Sequence, residues 1–338
     1  MLRWDVSDFK NESVIIGEMA GLKFEDLNEN HIESAARLAL GEYFQECDIV
    51  SILPDGDYFD RFCGMIAKML GHNLGVAAIE AGNLVGFLTC YQPWNNHFGT
   101  TMGTFSPIHG HGAVKHDRQR IYSLLYQAAA AKWVREGILS HAIGLYAHDS
   151  EALNSFFWNG FGLRCVDAIR NVAPIVCGEF PEYSFEELPA EEIAQIVPLK
   201  NLLRAHLRNT PMFIPVFTGL DAAQIQAENE RRRSRYFVIK DNGKTIAFIE
   251  IMSSGENFVC DVSDMVNICG AYMLPEYRQT GIFTKLLSWL MDTLASEGYT
   301  RCGVDFESLN PTARGFWLKH FEAYTHSVAR RIDERIVR

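Results

Sequence analysis

The chain of 338 residues has a formal net charge of −11 and is 48% hydrophobic and 22% charged, a balance typical of globular proteins with room for two domains. The negative charge argues against general nucleic-acid binding, which requires a basic face, and is compatible with a cationic or amine acceptor. No apolar run is long enough to cross a membrane, and the N-terminus lacks the apolar core of a signal peptide, so we expect a cytoplasmic protein.

The first half of the chain predicts a mixed α/β domain. We expect an amphipathic helix over 32–40 and a hairpin of strands over 76–79 and 84–90. His109 and His111 follow in a glycine-rich segment, and on a strand they would share one face. Because no third ligand stands at a matching spacing, a metal pair is disfavoured. The two histidines could instead contact substrate, lie at a domain interface or be ordinary hydrogen-bonded residues.

The second half repeats the first at a shift of 161 residues. Three separated landmarks share this shift: Phe24-Glu25-Asp26-Leu27 with Phe185-Glu186-Glu187-Leu188, Glu136-Gly137 with Glu297-Gly298, and Asp149 with Asn310. We interpret the repeat as a duplication. The predicted fold class is therefore α/β (α+β), with two tandem domains over 1–176 and 183–338. Each domain is expected to be a mixed central sheet flanked by helices.

Within the second domain, a helix is expected over 193–207, followed by a hairpin around Asp241-Asn242-Gly243. Its strands are predicted over 236–240 and 245–251, and further strands over 267–273 and 302–307. Between these last two strands, apolar residues at helical spacing predict a helix that begins near Ile282.

The segment from Ala271 to Phe283 is the most informative part of the sequence. A strand ends, Pro275 stops it, and a polar loop containing Gly281 leads into the apolar-striped helix. A diphosphate needs backbone N–H groups that converge at a helix N-terminus, and Gly281 leaves such a position open while Arg278 adds positive charge. Met273 and Leu274 could pair through their backbones with an extended, amide-rich ligand arm.

This segment resembles the acetyl-CoA motif of the GCN5-related N-acetyltransferase (GNAT) superfamily, as Arg278-x-x-Gly281-x-Phe283, with Phe283 in place of a small residue. The segment from Asn310 to Trp317 resembles the second motif of the superfamily. The resemblance implies two tandem GNAT-like domains and acetyl-CoA as the co-substrate of the second. The implied cofactor-binding residues are Met273, Leu274, Arg278, Gln279, Thr280, Gly281, Ile282, Phe283 and Asn310.

The first domain is expected to be a degenerate copy. At the shift of 161 residues, Arg278 corresponds to Asp117 and Gly281 corresponds to Arg120. An acid then replaces the base, and a large side chain replaces glycine, so a diphosphate would be repelled. We therefore expect the first domain to have kept the fold and lost or altered the cofactor site.

The catalytic residues are expected on and after the strand over 302–307. Asp305 and Glu307 would share one face of this strand, and we choose Glu307 as the base or amine-binding carboxylate, with a structural carboxylate as the alternative. The superfamily often places a tyrosine acid where Trp317 stands, and Tyr324 is the nearest replacement by sequence. Cys269 has no evident histidine partner, so a buried thiol is favoured over a nucleophile.

Together these observations predict an acetyl-CoA-dependent N-acetyltransferase that acts on a small-molecule amine as a monomer or homodimer, without metal, nucleic acid or membrane. The alternative is a non-catalytic acyl-CoA-binding or regulatory module that kept the loop and lost the chemistry. The identity of the acceptor and the length of the acyl chain are left open by the sequence.

Overall fold

The computed structural model describes residues 18, 19 and 21–337 and divides the chain into two compact units. Unit 1 contains the described residues up to Ser51, Asp55–Cys165 and Tyr324 to the end of the described chain, and unit 2 contains Ile52–Pro54 and Val166–Ala323. Among the described residues, no helix is both long enough and apolar enough to span a membrane.

The first part of the chain forms strands and helices that alternate as predicted. In chain order these are β1 (Glu18–Met19), β2 (Leu22–Asp26), α1 (Ile32–Cys47), α2 (Phe59–Lys68), β3 (Val76–Glu80), β4 (Asn83–Leu88), β5 (Trp94–His97), β6 (Thr101–Ser106), β7 (His111–Ala113), α3 (Arg118–Arg135), β8 (Ser140–Tyr146), α4 (Ser150–Trp158) and β9 (Gly162–Asn171). One sheet has the strand order β1-β2-β3-β4-β7, and a second series of neighbouring strands includes β8, β6 and β5.

The second part of the chain repeats this order without counterparts of β1, β5 and β6. It forms β10 (Tyr183–Glu187), a 3-10 helix (Ala190–Ile196), α5 (Val197–Arg208), α6 (Ala222–Arg232), β11 (Arg235–Asp241), β12 (Lys244–Met252), β13 (Met265–Met273), α7 (Ile282–Ser296), β14 (Arg301–Glu307), α8 (Pro311–His320) and β15 (Glu322–Arg331). In unit 2 the strand order is β10-β11-β12-β13-β14-β9. The apolar stripe of α7, from Ile282 to Leu294, is buried in the core of this unit.

Two hairpins were recognisable from their turns, and both have the expected geometry. Ala81 and Gly82 join β3 to β4 with φ of 47° and 82°, and Asn242 and Gly243 join β11 to β12 with φ of 47° and 82°. Positive φ at both central residues is characteristic of a type I′ turn, whose twist matches that of the flanking strands. The two hairpins therefore occupy corresponding positions in the two halves.

The compact units do not coincide with the predicted ranges 1–176 and 183–338, because the two halves of the chain exchange a strand. Val166 and Ala168 of β9 lie in the hydrophobic core of unit 2, whereas Val328 of β15 lies in the core of unit 1. Tyr324 to Arg331 are in unit 1, where β15 pairs in antiparallel fashion with β8. Sequence similarity marks the duplicated segments, and it carries no information about which copy each terminal strand joins.

Candidate active site

The central feature of unit 2 is the divergence of two parallel strands. β13 pairs with β14 from Met265 only as far as Ile268, which lies opposite Val304, although both strands continue further. On its other edge, Ile268 pairs with Ile251 and Gly270 with Glu250, so Cys269 is an extra, bulged residue. A β-bulge bends and twists its strand locally. The bulge at Cys269 thus accompanies the opening between the ends of β13 and β14.

The end of β13 presents backbone groups to this opening. The Leu274 N–H donates to the Ile246 carbonyl, 3.0 Å away, and the Leu274 carbonyl accepts from the Tyr277 N–H. The Leu274 N–H is therefore not free to pair with a ligand, and the Leu274 carbonyl already accepts one hydrogen bond. Because successive backbone groups of a strand point to opposite edges, Met273 and Ala271 face the side of β14.

The turn from Leu274 to Gly281 leads directly into α7. Gly281 is the N-cap of the helix with φ of 89°, a conformation in which a Cβ would be strained and would lie 3.5 Å from the Phe180 ring. Within the described residues, the main-chain N–H groups of Gln279, Thr280 and Gly281 donate to no protein acceptor. Such unpaired donors at a helix N-terminus form a ready site for a diphosphate.

Arg278 is hydrogen-bonded to the strand that precedes the turn. Its Nε donates to the Met273 carbonyl, 3.0 Å away, and its guanidinium lies 5.1 Å from the centre of the Tyr272 ring. The Met273 carbonyl is therefore partly satisfied within the protein. The arrangement holds a fixed positive charge beside the unpaired N–H groups, where it would favour an anionic ligand.

These elements surround a cavity of about 510 Å³. The predicted residues that line it are Met273, Arg278, Gln279, Gly281, Phe283 and Asn310. Thr280, Ile282 and Leu274 adjoin the turn without lining the cavity: the Thr280 hydroxyl donates to the Tyr277 carbonyl, and Ile282 is packed in the core. The structure thus brings most of the predicted cofactor residues to one cleft.

Phe283 and Asn310 border the cleft in different ways. The Phe283 ring packs edge-on against Phe316, with a centroid distance of 5.1 Å, so it leans on α8. Asn310 is the N-cap of α8, and its Oδ1 accepts from the Ala313 N–H and the Thr312 hydroxyl. Asn310 therefore orders the junction between strand and helix.

Sequence reasoning missed two side chains that line the cavity, His206 and Tyr272. His206 lies near the end of α5, with its Nε2 3.4 Å from the Asn310 Oδ1. Tyr272 lies beside the predicted Met273 and was passed over because only the backbone of the strand end was considered. The amphipathic pattern of α5 gave no signal for His206, because nothing local indicates that the end of this helix meets Asn310.

Several carboxyl groups gather beside the end of β14. Burial raises the pKa of Asp305 well above its usual range, and the neighbouring carboxylates of Glu256, Asp167 and Glu307 raise it further. Asp167, on β9, accepts a 2.9 Å hydrogen bond from the Asn257 Nδ2. The half-buried Glu307 ends β14 and does not line the 510 Å³ cavity. The cluster could stabilise a cation or accept a proton.

A buried ion pair lies next to the bulge. The Lys200 Nζ of α5 is 3.1 Å from the Glu250 Oε2 of β12, and the Tyr236 hydroxyl donates to the Glu250 Oε1 over 2.9 Å. Burial, together with the Glu250 and Asp305 charges, raises the pKa of the Cys269 thiol. A raised pKa disfavours the thiolate, in agreement with the expectation that Cys269 is a buried thiol and not a nucleophile.

Tyr324 does not belong to this cleft. It is 1% exposed, lies in the part of β15 assigned to unit 1, and its carbonyl accepts from the Ala147 N–H. It does not line the cavity of about 510 Å³, so the structure gives no support to its selection as the replacement acid.

The corresponding turn of unit 1 is shorter. Only residues 114–117 separate β7 from α3, whereas residues 274–281 separate β13 from α7. Asp117 is the left-handed N-cap of α3, with φ of 60°, so it corresponds to Gly281 and not to Arg278. The constant shift therefore fails at this turn, although it holds for the N-caps Asp149 and Asn310. An acid at the helix start still opposes a diphosphate.

In unit 1, protein groups occupy the space that corresponds to the opening between β13 and β14. β6 pairs with β8, β7 pairs with β4, and the turn between them contains His109, so the two histidines do not share a strand. The buried His111 Nε2 lies 2.6 Å from the Gly144 carbonyl and its Nδ1 2.9 Å from the Tyr122 hydroxyl. Burial lowers the pKa of His111 to about 4 and that of His109 to about 3. Among the described residues, no group of three or more His, Cys, Asp or Glu side chains could hold a metal ion.

Comparison with known proteins gives a family match for part of the chain and structures of similar fold for most of it. Residues 202–322 match the acetyltransferase (GNAT) family. A GCN5-related N-acetyltransferase from Sphaerobacter thermophilus is 12% identical, with 93% of this chain and 96% of that chain covered and a TM-score of 0.59. A fungal multi-domain GH3 beta-N-acetylglucosaminidase, which contains a GCN5-related glucosamine N-acetyltransferase region, is 13% identical, with 92% of this chain and 38% of that chain covered and a TM-score of 0.52.

None of the curated proteins matches the chain by sequence. The solved structures show the fold over most of the chain, and the matched family region contains β13, the turn, α7 and α8. The chain therefore has the fold of the GCN5-related N-acetyltransferases over most of its length, and residues 202–322 match the acetyltransferase (GNAT) family.

Proposed function

We propose that the protein is an acetyl-CoA-dependent N-acetyltransferase that transfers an acetyl group to the amine of a small molecule by direct attack. The observation that carries this proposal is the combination of diverging strands β13 and β14 with unpaired N–H groups at the start of α7. A thioester ligand that has a long amide-containing arm and a diphosphate needs both parts. The family match makes an acyltransferase the expected class.

The residues of the cleft fit acetyl-CoA as a co-substrate. The N–H groups of Gln279, Thr280 and Gly281 would hold the diphosphate, with Arg278 supplying positive charge. The backbones of Ala271 and Met273 would pair with the amide-rich arm. The open position at Gly281 supports this fit, because any larger residue would meet Phe180 and carry a strained backbone.

The chemistry at the acceptor side follows from the carboxyl groups of β14. When bound, acetyl-CoA supplies the acetyl group as a thioester. An aliphatic amine is mostly an ammonium ion at neutral pH, so it must lose a proton before it can attack. Glu307 is proposed to accept that proton, and the neighbouring carboxylates of Asp167 and Glu256 would attract the cationic acceptor. Holding the amine against the thioester would provide much of the rate enhancement.

One observation favours a second candidate, a non-catalytic acyl-CoA-binding module. Trp317 lines the cleft at the position of the expected tyrosine, and Tyr324 lies in the other unit. An indole N–H cannot donate a proton to a leaving thiolate at neutral pH. Tyr272, which lines the cavity, is the remaining tyrosine of the described cleft that could do so.

Coenzyme A binding tests the cleft itself. We expect Gly281→Glu to weaken the binding of coenzyme A by more than about a hundredfold, because it adds a side chain and a negative charge where the diphosphate would lie. Gly298→Glu is the matched control, since Gly298 also has φ of 89° and is exposed, but follows the far end of α7. Calorimetric titration would measure both affinities. Equal affinities in the two variants would show that the site is elsewhere.

Thiol release from acetyl-CoA separates the two candidate functions. The wild-type protein is incubated with acetyl-CoA and a panel of small amines, and free thiol is measured against a sample without amine. Amine-dependent release that Gly281→Glu abolishes would support the enzyme. Tight binding of coenzyme A without release on any amine would favour the binding module.

A further inference from the structure

Unit 1 has a second cavity, at the place where unit 2 has its cofactor cleft. Its volume is about 360 Å³, and it lies between the end of α1 and the starts of α3 and α4. In both units the helix that follows this edge of the sheet, α4 after β8 and α8 after β14, begins with a side-chain N-cap: Asp149 in α4 and Asn310 in α8. Small-molecule sites commonly have volumes of about 300–1,000 Å³. The cavity is therefore large enough for a small ligand.

The charge of this cavity excludes the ligand that unit 2 would bind. Its wall contains the carboxyl groups of Glu42, Glu46, Asp48, Asp149 and Glu151, against the cations Lys115 and Arg118. The Arg118 guanidinium is already engaged, because its Nη1 lies 2.7 Å from the Asp149 Oδ2 and its Nη2 donates to the Ala113 carbonyl. A diphosphate would meet an excess of carboxylates, whereas a cation would be attracted.

A buried tyrosine provides an independent indication of a ligand. Tyr146 ends β8, is 2% exposed and lines the cavity. Its hydroxyl has no hydrogen-bond partner among the described residues. Buried polar groups are nearly always hydrogen-bonded, so an unpaired one on a residue in the wall of a cavity indicates a missing partner. Burial raises the pKa of Tyr146 well above its usual range, so the group stays a neutral hydroxyl that can accept a hydrogen bond.

The neighbouring carboxylates are held in place by protein groups. The Glu46 Oε1 lies 2.8 Å from the His148 Nδ1. Glu42 accepts hydrogen bonds from the Tyr122 hydroxyl at 2.7 Å and from the Ala113 N–H at 2.9 Å. Burial raises the pKa of Glu42 to about 8 and also raises that of Glu46. At neutral pH the negative charge of the wall therefore comes less from Glu42 than from Asp48, Asp149 and Glu151, and it suits a ligand with a positive charge and several N–H donors.

We propose that this cavity of unit 1 is a binding site for a small primary ammonium compound, separate from the acyl-CoA cleft of unit 2. The ammonium group donates a hydrogen bond to the Tyr146 hydroxyl, and Glu46 and Asp149 balance its charge. The proposal does not depend on the proposed function, because every residue that it uses belongs to unit 1.

The test compares an ammonium ion with a neutral molecule of the same shape. The full-length protein is titrated with n-butylammonium chloride and, separately, with n-butanol at matched ionic strength, and binding is followed by ligand-observed NMR. We expect saturable binding of n-butylammonium and binding of n-butanol that is at least about tenfold weaker, since hydrogen bonds to charged groups are the stronger ones. Equal binding of the two molecules, or no saturation by n-butylammonium, would overturn the proposal.

Two variants locate the binding. Tyr146→Phe removes only the hydroxyl and should weaken n-butylammonium binding about fivefold or more, and Glu46→Gln should weaken it similarly. Tyr126→Phe is the matched control, because the Tyr126 hydroxyl is bonded to the His141 Nδ1 inside the core of unit 1. Unchanged affinity in both Tyr146→Phe and Glu46→Gln would assign the ammonium ion to another site, such as the acceptor side of unit 2, and refute the proposal.

Discussion

Asp117 and Gly281 show how one residue decides what a helix start can bind. Both are N-caps in the left-handed region, with φ of 60° and 89°. Glycine adopts this conformation freely, and aspartate is among the few other residues that tolerate it. The backbone is therefore similar in the two units, and the carboxylate of Asp117 changes the sign of the local charge. Arg120, one turn further along α3, forms an ion pair with that carboxylate.

Glu307→Gln tests the assignment of the base. The amide keeps the shape of the side chain and cannot take up the proton, so we expect kcat to fall about a hundredfold or more, with the affinity for coenzyme A unchanged. Glu322→Gln, an exposed change on β15, serves as the control. The measurement is steady-state turnover across pH together with a coenzyme A titration. A pH–rate profile identical to that of the wild type would remove Glu307 from the mechanism.

Among single residues, the sequence predicted those of the turn before α7 more successfully than those proposed for catalysis. Gly281 and Asn310 were recognisable because a positive φ and a helix cap restrict the residue type that a position accepts. The surroundings of Leu274 and Tyr324 were less predictable, for a different reason. Which backbone group is already paired, and which sheet a terminal strand joins, depend on contacts between segments far apart in the chain.

Single helices and strands show the same limit of prediction from local sequence. The helix expected over 193–207 was found, but it begins as a 3-10 helix over Ala190–Ile196 and continues as α5, with Pro198 in its first turn. Proline is favoured there because the missing N–H would have no helical acceptor. By contrast, no local pattern announces the bulge at Cys269, since it depends on how β12 and β13 pair. The opening of the cleft was therefore beyond prediction from sequence.

Lys200→Met tests what fixes α5 to the sheet. Lys200 and Glu250 are both buried, and removal of the cation would leave a carboxylate without its charge partner, at a cost of about 3–5 kcal/mol. We expect a clear fall in the midpoint of urea unfolding. Lys285→Met is the control, because the partner of Lys285, Glu179, is largely exposed, and the midpoint should hardly change. A similar midpoint for the two variants would show that the buried pair does not anchor the helix.

For the whole molecule, the strand exchange predicts the effect of removing β15 from the end of the chain. A chain that ends after Ala323 lacks the antiparallel partner of β8, whose residues are all buried, and lacks Val328 in the core of unit 1. We expect this chain to aggregate, because an exposed apolar strand edge pairs with other molecules. A chain that ends after Asp333 keeps β15 and is the control. Size-exclusion chromatography distinguishes them, and a monodisperse shorter chain would contradict the expectation.

The exchanged strands also determine where two related proteins could be recombined. A single crossover in the segment around residue 180 would give unit 2 its β9 from one parent and its remaining strands from the other. Unit 1 would likewise receive β15 from a different parent than its other strands. Breakpoints between Cys165 and Val166 and between Ala323 and Tyr324 would instead give each compact unit a single parent, apart from Ile52–Pro54. Two coordinated crossovers, and not one, are the natural means of shuffling these halves.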